Sequence, residues 1–429
     1  MVSAMDGPSD ADQMPATLEK SFHLVLASTR VLYVNGAATR QVVDEADRLG
    51  HALGVRATVM ARWGELQLKV EDRSARFTAQ AAAIPTGVDM DRVAAVTGVI
   101  DDIEAGRLAP DAAAKAVGAI ALRPPSPAWL FTLAAAAGAV ALSVIFGIAD
   151  LAPAVLIFLS AGLGAVLRRG LARLSTNIFI QPFCAALLAG VIGALAIRYE
   201  PGPALWLVAV CPCMVLVPGP HILNGALDLA HGRIDLGSAR LVYAGLVVLA
   251  ISIGLLAGLA LFGVSLPIDP PGLAVPWWQD VIAAGVAVAA YSVFYSTPLT
   301  MLPWPVAVGM LAHGIRWVAL TVLGVGVAGG ALVAAVVASL ILYPISRRRH
   351  MPFAAIGFAA VVSMMPGVYL FRMASALVQI GHGSKATDLL SGVAANGAIA
   401  TMVILALSLG LIIPKMLIDY LSHRSGKAD

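Results

Sequence analysis

The sequence predicts an all-α polytopic membrane protein of about ten transmembrane helices, arranged as two five-helix inverted repeats and preceded by a small α+β domain. Three observations carry this prediction. Of the 429 residues, 59% are hydrophobic and only 12% are charged, and mean hydropathy is +0.86, far from the balance of soluble globular chains. The charge is unevenly spread, with 13 of the 28 basic and 16 of the 25 acidic residues in the first 125, so a charged segment precedes an apolar one. Finally, a Pro-Gly interruption of an apolar run, VPGPHILNGALDLAHG at 217–232, recurs 148 residues later in MPGVYLFRMASALVQIGHG at 365–383.

Residues 1–18 lack both a basic start and an apolar core, and read as a disordered tail with no signal peptide. The α+β domain then spans 19–125. FHLVLASTRVLYV has helical spacing and stops at Asn35-Gly36, and a second helix fits ATRQVVDEADRLGHALG, with Val42, Val43, Ala46, Leu49 and Leu53 as its apolar stripe and Gly54 as its end. The period then changes to two. RATVMARWGELQLKVED reads as two strands around Trp63-Gly64, with Leu66, Leu68 and Val70 on one face. DMDRVAAVTGVIDDIEAG and APDAAAKAVGAIAL are two further amphipathic helices, the second with Pro110 in its first turn. No phosphate-cradling glycine loop, HExxH or Cys/His ligand spacing occurs here, so neither a cofactor nor a metal is expected. Asp101, Asp102 and Glu104 fit a solvated helix face better than a site. RPPSPAW is a proline-rich hinge into the apolar part.

A span needs about 20 apolar residues. Candidates lie at 129–148, 151–167, 177–197, 203–219 and 240–265 in a first half (126–265), and at 280–299, 301–317, 321–345, 352–378 and 389–413 in a second (266–429). Basic residues fall after the second span (Arg168, Arg169, Arg173), after the fourth (Arg233, Arg240), after the eighth (Arg347 to Arg349) and in the tail (Lys415, Arg424, Lys427). With ten spans all of these share one side, which places both termini and the α+β domain in the cytoplasm. The opposite loops, such as SLPIDPPGLAVPWW, are poor in basic residues, Lys385 being an exception. The basic residues serve orientation, so no nucleic-acid partner is implied. Cys184, Cys211 and Cys213 lie in apolar segments and read as packing residues, since two helical positions two apart point roughly 200° away from each other.

One offset of 148 aligns Trp129 with Trp277, Arg168 with Arg316, Pro218 with Pro366 and Gly219 with Gly367. Five spans per half is an odd number, so the halves enter the membrane in opposite senses, as in many secondary transporters. Irregular backbone at that depth is tolerated where it is buried or lines a cavity. The alternative is that Pro-Gly merely ends each helix at the interface, leaving ILNGALDLA on the membrane surface.

LVPGPHILNGALDLAHGRIDLGSARL strongly resembles the signature of the threonine/serine exporter family, at Pro218, Gly219, Asn224, Asp228, Gly232, Gly237 and Arg240. VNGAATRQVVDEADRLGHALGV is similar to the family's cytoplasmic start, with Gly36-Ala37-Ala38-Thr39 opening the helix, and MMPGVYLFRM to its companion half, at Pro366, Gly367 and Tyr369. In some relatives these halves are separate subunits; here they are fused. One departure is Val43, where the family pattern has an acid, with Asp44 and Glu45 beside it.

The resemblance implies a proton-driven secondary exporter of threonine or serine, not an enzyme, with the lipid bilayer, protons and a small-molecule substrate as partners. A dicarboxylate exporter, a membrane-embedded enzyme and a channel are the alternatives, and a homo-oligomer is left open. The expected substrate-binding residues are Pro218, Gly219, His221, Asn224, Asp228, Pro366, Gly367, Tyr369 and Arg372. His221, Asn224 and Asp228 form a polar stripe on one helix face just beyond the first break, with a solvated loop helix as the alternative. Arg372 is a lone cation five residues after the second break, costly in lipid, and its fork suits a carboxylate. In this scheme Arg372 and the helix N-termini hold the carboxylate, and Asp228 or His221 exchanges a proton. His313 and Arg316 read as interfacial, and Gln181 and Asn396 as helix-helix or substrate contacts.

Overall fold

The computed structural model describes residues 16–425 apart from 74, 200–201, 203, 268–274, 350 and 382–385. The N-terminal domain follows the predicted change of period. It comprises α1 (Ala16–Val34), α2 (Thr39–Ala52), β1 (Arg56–Arg62), β2 (Gly64–Glu71), β3 (Arg76–Ala83), α3 (Met90–Glu104) and α4 (Pro110–Ala121). Residues 16–18, assigned to the tail from sequence, are the first turn of α1; residues 1–15 lie outside the described residues. Leu66, Leu68 and Val70 are fully buried on one face of β2, as the alternation requires. The sequence reading contains two strands and the sheet has three, in the antiparallel order β1-β2-β3. RFTAQAAA has weak strand propensity, and cross-strand pairing with β2 (Gln67 opposite Gln80, Leu68 opposite Ala79) makes it a strand. Gly36 ends α1 with φ +92°, a backbone region that glycine enters freely, and this turns the chain into α2.

Beyond the hinge lie α5 (Ala128–Ile145), α6 (Leu151–Leu174), α7 (Ile180–Tyr199), α8 (Trp206–Met214), α9 (Gly219–Ala230) and α10 (Ile234–Ala260). These are followed by α11 (Trp277–Phe294), α12 (Pro303–Thr321), α13 (Val327–Arg348), α14 (Phe353–Val361), α15 (Gly367–Gly381) and α16 (Ala386–Ser425). Among the described residues, seven helices are long and apolar enough to cross a membrane, or nine if each bent pair counts as one span. The remaining predicted span, 301–317, corresponds to the 19-residue α12, whose interior carries His313 and Arg316. Outward-facing stripes such as Leu159, Leu163 and Val166 on α6, or Leu246, Leu249 and Ile253 on α10, would be a liability in water and match a lipid solvent. Between α7 and α10 small residues allow backbone contact: a Cβ at Gly254 would lie 2.3 Å from the Phe183 carbonyl oxygen, and one at Gly258 would lie 2.4 Å from that of Leu187.

Elements recur between the halves. α5 and α11 have 18 residues each, α8 and α14 have nine each, and α9 and α15 both begin at the glycine after a proline. Neighbours recur too. α6 packs on α7 and α8 as α12 does on α13 and α14, and α7 packs on α10 as α13 does on α16. α5 and α11 meet each other across the halves.

Each of the predicted fourth and ninth spans is built of two helices that meet at a bend, the geometry of a broken span or of a re-entrant loop. α8 and α9 meet at a bend of 53°, and the segment 356–364 meets α15 at 52°. At each break the glycine amide donates to the carbonyl two residues earlier, Gly219 to Val217 and Gly367 to Met365, both at 2.9 Å. Pro218, with φ −82° and ψ 61°, sits at the centre of an inverse γ-turn. The two breaks lie against each other. A Cβ on Gly219 would fall 1.6 Å from Phe358 of α14, and one on Gly367 would fall 3.2 Å from Met214 of α8. The Tyr291 hydroxyl donates across the halves to the Met214 carbonyl (2.9 Å), one of the groups at the C-terminal end of α8.

Candidate functional site

A cavity of about 780 Å³ opens at the first break, within the range of small-molecule sites. Its walls come from the hinge (Pro124 to Pro127), the end of α6 (Arg168, Arg169, Arg173), Gln181 of α7, Pro218 and His221 at the break, Tyr243 of α10 and Phe294 of α11. The N-terminal domain contributes Thr86, Val88 and Asp89, and burial raises the Asp89 carboxyl above its ordinary value. Arg169 is committed, donating to the Ser126 carbonyl at 2.7 Å. Arg168 is not: its Nε and Nη1 are buried with no hydrogen-bond partner among the described residues. Its guanidinium lies over Phe294 (5.1 Å) and Phe131 (5.8 Å), which fix its plane. A buried guanidinium without a counter-charge is costly, and a planar fork in that state matches a carboxylate. The His221 ring packs edge-on against Tyr243 at 5.0 Å, and its Nδ1 is buried without a partner among the described residues.

The second break has different chemistry. Here His313 is wholly buried, with Nδ1 3.1 Å from Asp280 Oδ2 and Nε2 2.6 Å from Ser363 Oγ. The interfacial reading of His313 is therefore corrected: hydrogen bonds on both ring nitrogens hold it inside the bundle. Arg316, one turn further along α12, has a buried Nε without a partner among the described residues, and the Asp280 charge acts on it.

At the third location the N-terminal domain grips α9. The Asn224 side-chain amide donates to the Gly36 carbonyl (3.0 Å), and Thr39 Oγ1 donates to Asp228 Oδ2 (2.9 Å). Asp228 also lies 3.4 Å from Arg233 and 3.1 Å from Arg240 Nε, with Arg240 completely buried. The Arg240 N–H groups miss hydrogen-bond geometry toward that oxygen, so this is an ion pair held by charge, and the guanidinium also stacks on Tyr33 at 5.4 Å. Burial pushes the Tyr33 hydroxyl up to about 12, against the opposing effect of Arg240. The Gly36–Thr39 turn and the Asn224, Asp228 and Arg240 positions thus form one junction.

The nine sequence-predicted site residues are accordingly split. Pro218 and His221 line the cavity, Gly219 and Gly367 form the crossing with Pro366 beside it, and Asn224 and Asp228 belong to the junction. Tyr369 lies in the first turn of α15, and Arg372 Nε donates to the Pro267 carbonyl at 3.3 Å, 105 residues away in sequence. Arg168, Asp280 and Ser363 were missed. Arg168 carried a signal, its match to Arg316, whereas nothing in the sequence pairs Asp280 or Ser363 with His313. The acids of α3 are only partly solvated, because Arg48 of α2 pairs with Glu45 (2.9 Å), Asp101 (2.6 Å) and Glu104. Burial raises Glu45, two places from the departure at Val43, to about 7.

Apolar outward faces, two bent helix pairs that cross at their breaks and a cavity with charged and polar groups in its wall beside one of them define a polytopic α-helical membrane protein. A family described as "Putative threonine/serine exporter" matches residues 23–262, and one described as "Threonine/Serine exporter, ThrE" matches residues 280–417. The chain belongs to the threonine/serine exporter family. It is 27% identical over 357 residues to a "Probable threonine/serine exporter" from Mycobacterium tuberculosis, an alignment covering 79% of this chain and 64% of that relative. No solved structure matches.

Proposed function

We propose that the protein is a secondary exporter of threonine and serine, driven by the proton gradient across the inner membrane. In this reading the chain crosses ten times as two inverted five-helix repeats, with α12 as a span, and both termini face the cytoplasm. Membership of the family and the name of its relative support the substrate class, and the basic-residue asymmetry supports the orientation. The single observation that carries the reading is Arg168, whose Nε and Nη1 are buried without a hydrogen-bond partner among the described residues, at the edge of a cavity beside the first break.

The substrate carboxylate pairs with the Arg168 fork, and Gln181 and His221 offer hydrogen-bonding groups to the hydroxyl that threonine and serine share. The carboxylate role given to Arg372 from sequence passes to Arg168. Asp228, tied to Thr39, Arg233 and Arg240, anchors the N-terminal domain over the cytoplasmic mouth instead of exchanging protons. Arg173 in the same wall favours a second reading, a dicarboxylate substrate.

The test is counterflow of labelled threonine, serine and succinate in proteoliposomes, followed by accumulation under an imposed pH gradient. Threonine and serine are expected to exchange, succinate is not, and accumulation collapses with a protonophore. Exchange of succinate alone, or accumulation that follows ATP and ignores the protonophore, would overturn the reading.

A further inference from the structure

We infer that Asp280, His313 and Ser363 form a proton-binding site at the second break, distinct from the substrate cavity at the first. This rests on the reading of the protein as a proton-driven exporter, and supplies the residues that carry the coupling.

The geometry is that of a buried relay. Asp280 comes from the first turn of α11, His313 from the interior of α12, and Ser363 from the 3-10 turn Val362–Met364 that leads into Met365-Pro366-Gly367. All three are at least nine-tenths buried, at 4%, 0% and 3% exposure, and the imidazole bridges the carboxylate and the hydroxyl with both nitrogens. An isolated ionised carboxylate is expensive at such a position, so the acid is held with a partner that can share or deliver a proton.

The neighbouring groups set the charge balance. α12 itself contributes Arg316, and α15 carries Tyr369 in its first turn. The titratable groups of α13 are Tyr343, Arg347 and Arg348, in its last two turns, and α14 has none. With Asp280 ionised, His313 neutral and Arg316 charged, the local sum is zero. One added proton makes the Asp280–His313 pair neutral in total and leaves Arg316 in excess, so the site has reason to release that proton as well as to bind it.

Protonation also alters the hydrogen bonding at the break. A neutral imidazole that donates from Nδ1 to Asp280 accepts the Ser363 hydroxyl at Nε2; an imidazolium donates from both nitrogens, and Ser363 must become an acceptor there. Ser363 lies two residues before Met365, whose carbonyl accepts the Gly367 amide, so the switch acts on the hinge that packs against α8. The first half has no counterpart. The 148-residue offset places Thr132, Ala165 and Val215 opposite Asp280, His313 and Ser363, while Arg168 stands opposite Arg316.

The experiment compares gradient-driven threonine accumulation with threonine exchange at zero gradient, in proteoliposomes of the full chain normalised to inserted protein. The parental protein is assayed first; if it exchanges no threonine, the exporter reading fails and not this site. Asp280→Asn and His313→Gln are expected to lower the ratio of accumulation to exchange by about tenfold or more, the size of a typical coupling between sites. A parental ratio overturns the proposal, and so does a fall of exchange in step with accumulation, because the three residues would then be structural or belong to the substrate. Ser363→Ala keeps the test open if either variant inserts poorly. It should displace the pH dependence of accumulation between about pH 5 and 8, the range in which histidine titrates, and an unmoved profile overturns the proposal.

Discussion

Arg168 in the first half and Arg316 in the second stand 148 residues apart, each in the later part of the second helix of its half, yet their surroundings differ. Arg168 lies over two phenylalanines at the wall of a large cavity, with no carboxylate in ion-pair distance among the described residues. Arg316 is under the influence of Asp280, which in turn holds His313. Matched backbone breaks, at 53° and 52°, have therefore been given different chemistry by a handful of side chains. One half presents a guanidinium whose Nε and Nη1 lack a hydrogen-bond partner among the described residues; the other pairs an acid with a histidine inside the bundle. The helices that leave the two breaks differ as well: α9 is tied to the N-terminal domain through Asn224 and Asp228, whereas the positions opposite them on α15 are Arg372 and Ala376.

The largest effect is expected at Asp228. Asp228→Asn leaves the buried Arg240 without its full counter-charge, at a cost of about 3–5 kcal/mol as for other broken buried pairs. The thermal midpoint of the detergent-solubilised protein should fall, and the hinge around Pro124 to Pro127 should become cleavable by protease. A parental midpoint and a protected hinge would show that the junction does not hold the domain. The same series extends to Thr39→Ala, which removes one neutral donor to that carboxylate and should cost only about 1 kcal/mol.

A further contrast lies at the breaks themselves. Gly219→Ala drives a methyl group into the buried Phe358 ring and should cost about 1–3 kcal/mol, while Gly367→Ala comes closest to the flexible Met214 side chain, with Phe371 and Val217 at ordinary contact distance, and should cost about 1 kcal/mol or less. Adding Phe358→Ala should recover part of the Gly219→Ala loss, a coupling read from the double-mutant cycle. Equal costs at the two glycines, with no coupling to Phe358, would mean that the crossing is looser than described.

Much of this architecture was legible in the residues. Apolar runs and their Pro-Gly interruptions gave the helices and both breaks, because proline removes a donor and fixes φ whatever surrounds it. The period-two run gave β1 and β2 but not β3, whose alanines carry little strand signal of their own. The site was less legible, for the same physical reason. Asn224 and Asp228 were correctly placed on one helix face, but the partner that face meets, the Gly36–Thr39 turn, lies 188 and 189 residues away. Arg168 looked like a cytoplasmic orientation charge because a linear sequence does not show that Phe131 and Phe294 enclose it. Asp280 sits in the first turn of its helix, where an acid is ordinarily favoured by the helix dipole, so nothing marked it as the partner of His313.

The central claim is that Arg168 holds the substrate carboxylate, and equilibrium binding tests it most directly. Labelled threonine and threonine methyl ester, which lacks the carboxylate charge, would be bound to the purified parental protein and to Arg168→Ala. The parental protein should prefer threonine by about tenfold to a hundredfold, the worth of one charge-assisted contact, and Arg168→Ala should bind both weakly and without preference. If Arg168→Ala still prefers threonine to its ester by the parental margin, the carboxylate is held elsewhere and the account is wrong.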